Sequence, residues 1–187
     1  VIKPIKPYPS MLLGTLEMSP YEVAQMYQTY ASGGFFAPLR SIRSVLDANN
    51  QPLNRYPLAI EKRFETAPMI LINRAMQAVI DFGSAKAVRR YVSDSISLAG
   101  KTGTTNDARD SWFAGFGGDK VGVVWVGFDD NRSTKLSGAR GALKIWGRIM
   151  QQVGISSYAL PSAEAVHWVA VDPNRHLKVD DGCDEKV

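Results

Sequence analysis

The chain contains the stretch Leu98-Ala-Gly-Lys-Thr-Gly-Thr-Thr-Asn-Asp107, which sets small and polar residues side by side in an extended segment. Such residues make poor core material, so the segment predicts a binding edge rather than an interior strand. Strand alternation places Thr102 and Thr104 on one face, with their hydroxyls about 6–7 Å apart by strand rise, where both can reach one carboxylate. Gly103 lets a ligand approach the backbone closely enough to use the Thr104 N–H as a donor. Lys101 supplies a positive charge, although strict alternation directs its side chain to the opposite face.

Two other interpretations of Gly100-Lys101-Thr102 compete with a binding edge. One is the phosphate-binding loop of a nucleoside triphosphatase, G-x-x-x-x-G-K-[ST], with Asp129 or Asp130 as the metal-binding carboxylate. Ser95 stands where the first glycine of that motif belongs, and the residues after the lysine make a poor helix start. The other is an ordinary edge strand without a binding role, which the tripeptide alone leaves open.

Helical patterns flank this stretch on both sides. The first begins at a capping box, Ser19-Pro-Tyr-Glu22, and is predicted to run to Ser32. Its apolar stripe predicts a buried face, and Gln25 and Gln28 are predicted to point outward. Two further helices are predicted over 67–82 and 142–153, each followed by a glycine.

Extended segments lie between the helices, at 39–48, 95–105, 111–117 and 121–128. The last two predict a hairpin with its turn at Gly117-Gly118-Asp119, and the apolar run from Val121 to Val126 indicates a strand covered on both faces. Trp112, Phe113, Phe116 and Trp125 are predicted to lie in the sheet core. The pattern predicts an α+β domain over residues 1–160, an antiparallel sheet flanked by helices, followed by an irregular tail over 161–187.

Composition limits the possible functions. The 187 residues are 45% hydrophobic and 21% charged, typical of one globular domain or a large part of one. The longest apolar runs fall short of the ~20 residues that cross a bilayer. The net charge of +4 comes without a dense basic stripe, so no nucleic-acid partner is predicted. His167 and His176 have no second ligand at suitable spacing, so no metal site is predicted.

Several sequence blocks, in the same order, resemble class A penicillin-binding proteins, the bifunctional murein synthases. The resemblance to the family covers roughly residues 8–155. The tail that follows is similar to that of the 1B-type subgroup. The matching blocks are Pro9-Ser-Met-Leu-Leu-Gly14, Met18-Ser-Pro-Tyr-Glu-Val-Ala-Gln25, Tyr30-Ala-Ser-Gly-Gly34, Leu98 to Asn106, Asp110-Ser-Trp-Phe-Ala-Gly115, Trp125-Val-Gly127, Val171-Asp-Pro173 and Gly182-Cys183. Lys101-Thr-Gly103 corresponds to the family's K-T-G motif.

The resemblance implies a peptidoglycan D,D-transpeptidase, in which a serine attacks the D-Ala-D-Ala amide of a stem peptide and an amine resolves the acyl-enzyme. It implies catalytic roles for Lys101 and for Thr104, whose N–H is one oxyanion donor. Substrate binding then falls to Thr102, Gly103, Thr104 and Thr105. Stem peptides and β-lactams are the implied partners, no cofactor is implied, and the implied setting is the periplasm, with attachment to the inner membrane through an anchor outside this chain.

The chain departs from the family pattern where the nucleophile is concerned. No serine is followed three positions later by lysine, and no Ser-x-Asn occurs, so both motifs, and any glycosyltransferase domain, are expected before Val1. This chain alone is therefore expected to be inactive. Gly83-Ser-Ala-Lys86 also departs from the Gly-Thr-Gly or Gly-Thr-Ala common after the second helix, and Cys183 is expected to pair with a cysteine beyond Val187.

Two rival functions stay open. The first is a D,D-carboxypeptidase or β-lactamase-like hydrolase of the same fold, in which water resolves the acyl-enzyme. The second is a non-catalytic module that binds cell-wall peptide. The class A blocks count against the hydrolase. The absent Ser-x-x-Lys favours the binding module, but a start inside a family block is more typical of a truncated transpeptidase.

Overall fold

The computed structural model describes residues 8–172, 174, 175, 177 and 178. In that part of the chain three α-helices alternate with short strands and three 3₁₀ turns. The helices are α1 (Pro20–Ala31), α2 (Thr66–Asp81) and α3 (Ala142–Val153). The strands are β1 (Phe35–Phe36), β2 (Ser44–Leu46), β3 (Pro52–Arg55), β4 (Glu61–Lys62), β5 (Ala99–Thr104), β6 (Ser111–Phe116), β7 (Val121–Val126), β8 (Val171–Asp172) and β9 (Leu177–Lys178). The 3₁₀ turns are Pro9–Leu13, Lys86–Arg90 and Asn106–Ala108.

The central sheet is antiparallel, with strand order β5-β6-β7. Ala99 pairs with Phe116 at one end of β5 and Thr104 with Ser111 at the other. Strands β6 and β7 form the predicted hairpin, closed by a hydrogen bond of 3.0 Å from the Gly117 N–H to the Lys120 carbonyl. The sequence prediction of this hairpin is confirmed.

Both faces of the sheet carry a core, because apolar residues alternate across it. On one face Phe113 meets Trp146 of α3, with ring centroids 5.1 Å apart, and Val124 packs against the same cluster. On the other face Phe116 meets Tyr27 of α1, and Val123 joins that cluster. Strand β7 is therefore covered on both faces, and the predicted α+β class is confirmed.

Helix α1 begins where the sequence predicts. The Ser19 Oγ accepts from the Glu22 N–H, and the Glu22 carboxylate accepts from the Ser19 N–H, completing the capping box. The prediction that Gln25 and Gln28 face solvent is wrong. Gln25 accepts from the Leu39 N–H at 2.7 Å and Gln28 donates to the Phe35 carbonyl at 3.2 Å, so the two amides hold the loop that follows the helix.

The segment between α1 and α2 forms small hairpins apart from the central sheet. The strand predicted over 39–48 is confined to β2, which pairs with β3, and β1 pairs with β4. Val45 and Leu46 of β2 are exposed, so no buried face stabilises a longer strand there. Sequence alternation alone overestimated its length.

After Tyr158 the described residues form little regular structure, only the two-residue strands β8 and β9. His176 and Cys183, with its expected disulfide, lie outside the described residues. No helix in the described part is long and apolar enough to span a membrane.

Candidate active site

Among the residues that the structure describes, β5 is an edge strand of the central sheet. The Thr105 N–H donates to the Asp110 carbonyl just beyond the strand, at 3.3 Å. Antiparallel ladders alternate between bonded and non-bonded pairs, so Lys101 and Gly103 also bond toward β6. Thr102 and Thr104 consequently direct their N–H and C=O groups toward the open edge.

The side chains of Thr102 and Thr104 share one face, opposite Phe113 and Ser111 respectively. The Thr104 hydroxyl accepts from the Gly138 N–H at 2.9 Å, which leaves its own proton free to donate elsewhere. The convergence of the two hydroxyls that alternation predicts is thus compatible with the structure.

The Thr102 hydroxyl lies 2.6 Å from the Ser84 hydroxyl, in the loop after α2. In the sequence, Gly83-Ser-Ala-Lys86 differs from a family pattern, but nothing in it marks Ser84 as a neighbour of the site. The contact joins residues 18 positions apart, which local patterns cannot show.

Lys101 lies on the face opposite the threonines, paired across the strands with Ala114, as alternation predicts. Its exposed side chain turns back, and its ammonium donates to the Thr102 carbonyl at 2.8 Å. Because that carbonyl faces the open edge, the charge lies at the edge of β5 rather than beneath the sheet.

Gly103 is closely packed as well as adjacent to the open edge. A Cβ there would lie 3.0 Å from the Cβ of Trp112, and a Cβ on Gly138 would lie 2.7 Å from the Gly103 carbonyl oxygen. Gly103 is therefore tightly packed against Trp112, and its lack of a side chain leaves the strand backbone accessible.

The end of the binding strand is closed by Thr105 and Asp110. The Thr105 hydroxyl donates to the Asp110 carboxylate at 3.0 Å and accepts from the Asp110 N–H at 2.8 Å. Asp110 therefore holds the turn that follows the strand. Because Lys101 is followed directly by strand residues up to Thr104 instead of by a helix, the phosphate-loop alternative is wrong.

A second loop fixes the turn after β5. Asp107 and Ala108 have φ angles of 59° and 50°, a left-handed conformation unfavourable for residues other than glycine. The Ala108 carbonyl accepts from both the N–H and the hydroxyl of Thr134, at 2.9 and 2.7 Å. These bonds stabilise a turn that propensity alone does not predict.

The prediction of a four-residue aromatic core is half correct. Phe113 and Phe116 are fully buried, whereas Trp125 is 36% exposed and donates from Nε1 to the Asp110 carboxylate at 2.8 Å. Trp112 and Trp125 are directly opposite each other on β6 and β7, with ring centroids 6.2 Å apart. Within the described residues, no group of three or more His, Cys, Asp and Glu side chains could hold a metal ion.

A family model for the penicillin binding protein transpeptidase domain matches residues 9–151. The chain belongs to the penicillin-binding protein transpeptidase family. It is 41% identical over 164 residues to penicillin-binding protein 1B of Vibrio cholerae and 42% identical over 169 residues to that of Escherichia coli K12. The alignments cover 88% and 90% of this chain, which spans about a fifth (20%) of the length of each relative.

The solved structures agree on the fold of this transpeptidase domain. Penicillin-binding protein 1A from Haemophilus influenzae superposes with a TM-score of 0.83 at 22% identity, covering 92% of this chain and 32% of that one. PonA1 from Mycobacterium tuberculosis, solved in complex with penicillin V, gives 0.73 at 23% identity, covering 86% and 45%. The resemblance to class A penicillin-binding proteins that the sequence predicts is confirmed.

Proposed function

We propose that this chain supplies the substrate-binding strand of a peptidoglycan D,D-transpeptidase. The proposal is supported by the open edge of β5: the Lys101 ammonium donates to the outward Thr102 carbonyl, the Thr102 and Thr104 side chains share one face, and the Thr104 N–H points toward the edge. The hydroxyls of Thr102 and Thr104 bind the C-terminal carboxylate of a stem peptide, because hydrogen bonds to a charged acceptor are the stronger ones.

In the acylation step a serine outside this chain attacks the penultimate carbonyl carbon of the stem peptide, and the terminal D-alanine leaves as the amine. The Thr104 N–H donates to the carbonyl oxygen as negative charge develops on it. Lys101 contributes positive charge beside that oxygen and the attacking serine. An amine from a neighbouring stem peptide then displaces the serine and forms the cross-link.

The remaining site residues shape the strand. Gly103 leaves the backbone open to the ligand, and Thr105 lines the end of the site while its hydroxyl closes the turn with Asp110. β-Lactams occupy the same site because they present a carboxylate and an acylating amide in a similar arrangement. By relationship to the 1B relatives, the complete protein also carries a peptidoglycan glycosyltransferase domain and an inner-membrane anchor outside this chain, and acts in the periplasm.

Acylation by a fluorescent penicillin tests the proposal in the complete protein. Lys101→Ala should reduce the acylation rate roughly a hundredfold or more, because it removes the only positive charge proposed to act at this edge. Its melting temperature should stay unchanged, since the side chain is exposed. Lys144→Ala, which removes an exposed lysine from α3, is the control. Full acylation of the Lys101 variant would exclude the proposed role.

Stem-peptide turnover separates the rivals. A cross-linked dimer from a pentapeptide donor and an amine acceptor indicates a transpeptidase. Release of D-alanine without cross-linking indicates the hydrolytic alternative. Failure to acylate under any condition leaves a cell-wall peptide-binding module.

A further inference from the structure

Thr102 and Thr104 each contact a hydrogen-bonding group from outside the strand. The Thr104 hydroxyl accepts from the Gly138 N–H, at 2.9 Å. The Thr102 hydroxyl lies 2.6 Å from the Ser84 hydroxyl. The two contacts reach β5 from different loops, one after α2 and one before α3.

The contact at Thr104 has a fixed direction, because a backbone N–H can only donate. The Thr104 hydroxyl accepts that bond, and its own proton is left for another acceptor. The contact at Thr102 has no fixed direction, since either hydroxyl can be the donor. A carboxylate that accepts from Thr102 removes this freedom, because Ser84 must then donate to the Thr102 oxygen.

Ser84 is held firmly although its side chain is exposed. The next residue, Ala85, is fully buried, and its N–H donates to the Val79 carbonyl at 3.1 Å. The preceding residue, Gly83, lies so close to α2 that a Cβ there would come within 2.9 Å of the Val79 Cα. The loop therefore fixes Ser84 against α2 and presents its hydroxyl to Thr102.

We propose that Ser84 is a positioning residue for carboxylate recognition. It donates to the Thr102 oxygen and so directs the Thr102 proton toward the bound anion. A chain of two hydroxyls ending on a charge is polarised in one direction, which strengthens the terminal bond. The inference rests on the proposed function, and it adds to the site a residue outside the K-T-G strand.

The test is a set of variants of the complete protein, measured by acylation rate with benzylpenicillin. Ser84→Ala should lower acylation efficiency about three- to tenfold, the effect of one hydrogen bond within a network. Ser84→Thr keeps the hydroxyl and should restore the rate. Ser93→Ala is the matched control, because Ser93 forms a similar exposed hydroxyl pair with Ser95, at 2.9 Å, away from the site.

Two further measurements distinguish positioning from a structural role. In a Thr102→Val background, Ser84→Ala should cause no additional loss, since the proton it directs is gone. With the methyl ester of the same penicillin, Ser84→Ala should have no effect, because the charged acceptor is missing. The melting temperature of the Ser84→Ala variant should equal that of the parent protein.

The outcomes distinguish a failure of the Ser84 role from a failure of the proposed transpeptidase function. If Ser84→Ala acylates at the parental rate while Lys101→Ala and Thr102→Val are impaired, the inference is wrong and the proposed function stands. An equal loss in the Thr102→Val background, or a loss that follows melting temperature, also overturns the inference. If neither Lys101→Ala nor Thr102→Val is impaired, the proposed function itself fails.

Discussion

Replacing Thr104 by valine should destabilise the domain, whereas replacing Thr102 by valine should not, although both residues lie on the same face of one strand. Valine preserves the shape of threonine and suits a strand, so the difference isolates the hydroxyl. The Thr104 hydroxyl accepts from the Gly138 N–H at 2.9 Å, and Gly138 is buried, so its N–H loses its partner in the variant. The Thr102 hydroxyl contacts the exposed Ser84, which water can solvate once the threonine is gone.

The magnitude follows from that contrast. Leaving a buried N–H donor without a partner lowers the free energy of unfolding by about 1–3 kcal/mol, whereas losing a hydrogen bond that water can replace lowers it little. For a domain of this size, a loss of about 2 kcal/mol lowers the melting temperature by about 4–8 °C. Thr104→Val should therefore show such a drop, and Thr102→Val should stay within about 2 °C of the parent.

The assay pairs thermal unfolding of the complete protein, followed through the transition of the transpeptidase domain, with penicillin acylation. Both variants should lose roughly ten- to a hundredfold in acylation efficiency, because each removes a donor to the carboxylate. Acylation and stability thus both fall for Thr104→Val, whereas only acylation falls for Thr102→Val. Equal melting temperatures for the two variants would refute the assigned role of the Gly138 contact, and full acylation would refute the assigned role of the hydroxyls.

Three other predictions concern the packing of Gly122, the titration of Tyr27 and covalent labelling of this chain. Gly122→Ala should destabilise the domain by about 1–3 kcal/mol in denaturant unfolding, because its Cβ would lie 2.5 Å from Trp146 Nε1 and 2.6 Å from Met150 Cε; an unchanged midpoint would contradict this packing. Burial, and to a lesser extent the neighbouring Tyr30, raises the pKa of Tyr27 to about 12, so the neutral phenol stabilises the fold fully below about pH 10 and this contribution is lost as pH rises toward 12. Tyr27→Phe should make that alkaline loss less steep in unfolding measured from pH 9 to 12, and an identical slope would count against it. This chain alone should not take up a fluorescent penicillin covalently, since it contains no Ser-x-x-Lys, and a stoichiometric label that survives denaturation would contradict the assignment of the nucleophile.

Much of this protein follows from local sequence. Helix α1 begins at its capping box and α3 covers the predicted residues, because caps and 3.6-residue periodicity act within a few positions along the chain. The alternation of Thr102 and Thr104 against Lys101 also follows from sequence, since side chains change face at every residue of a strand. The order of the family blocks indicates the function class before any contact is known.

Contacts between distant residues are decided only by the tertiary structure. The bonds from Ser84 to Thr102 and from Gly138 to Thr104 join loops that follow and precede different helices, and no local pattern encodes them. Tertiary contacts also decide the surroundings of Gln25 and Gln28. Their polarity predicts solvent exposure, but in the structure both amides bind the loop over residues 35–39. Local chemistry determines which groups a strand presents, and long-range packing determines which of their protons and lone pairs remain free for a ligand.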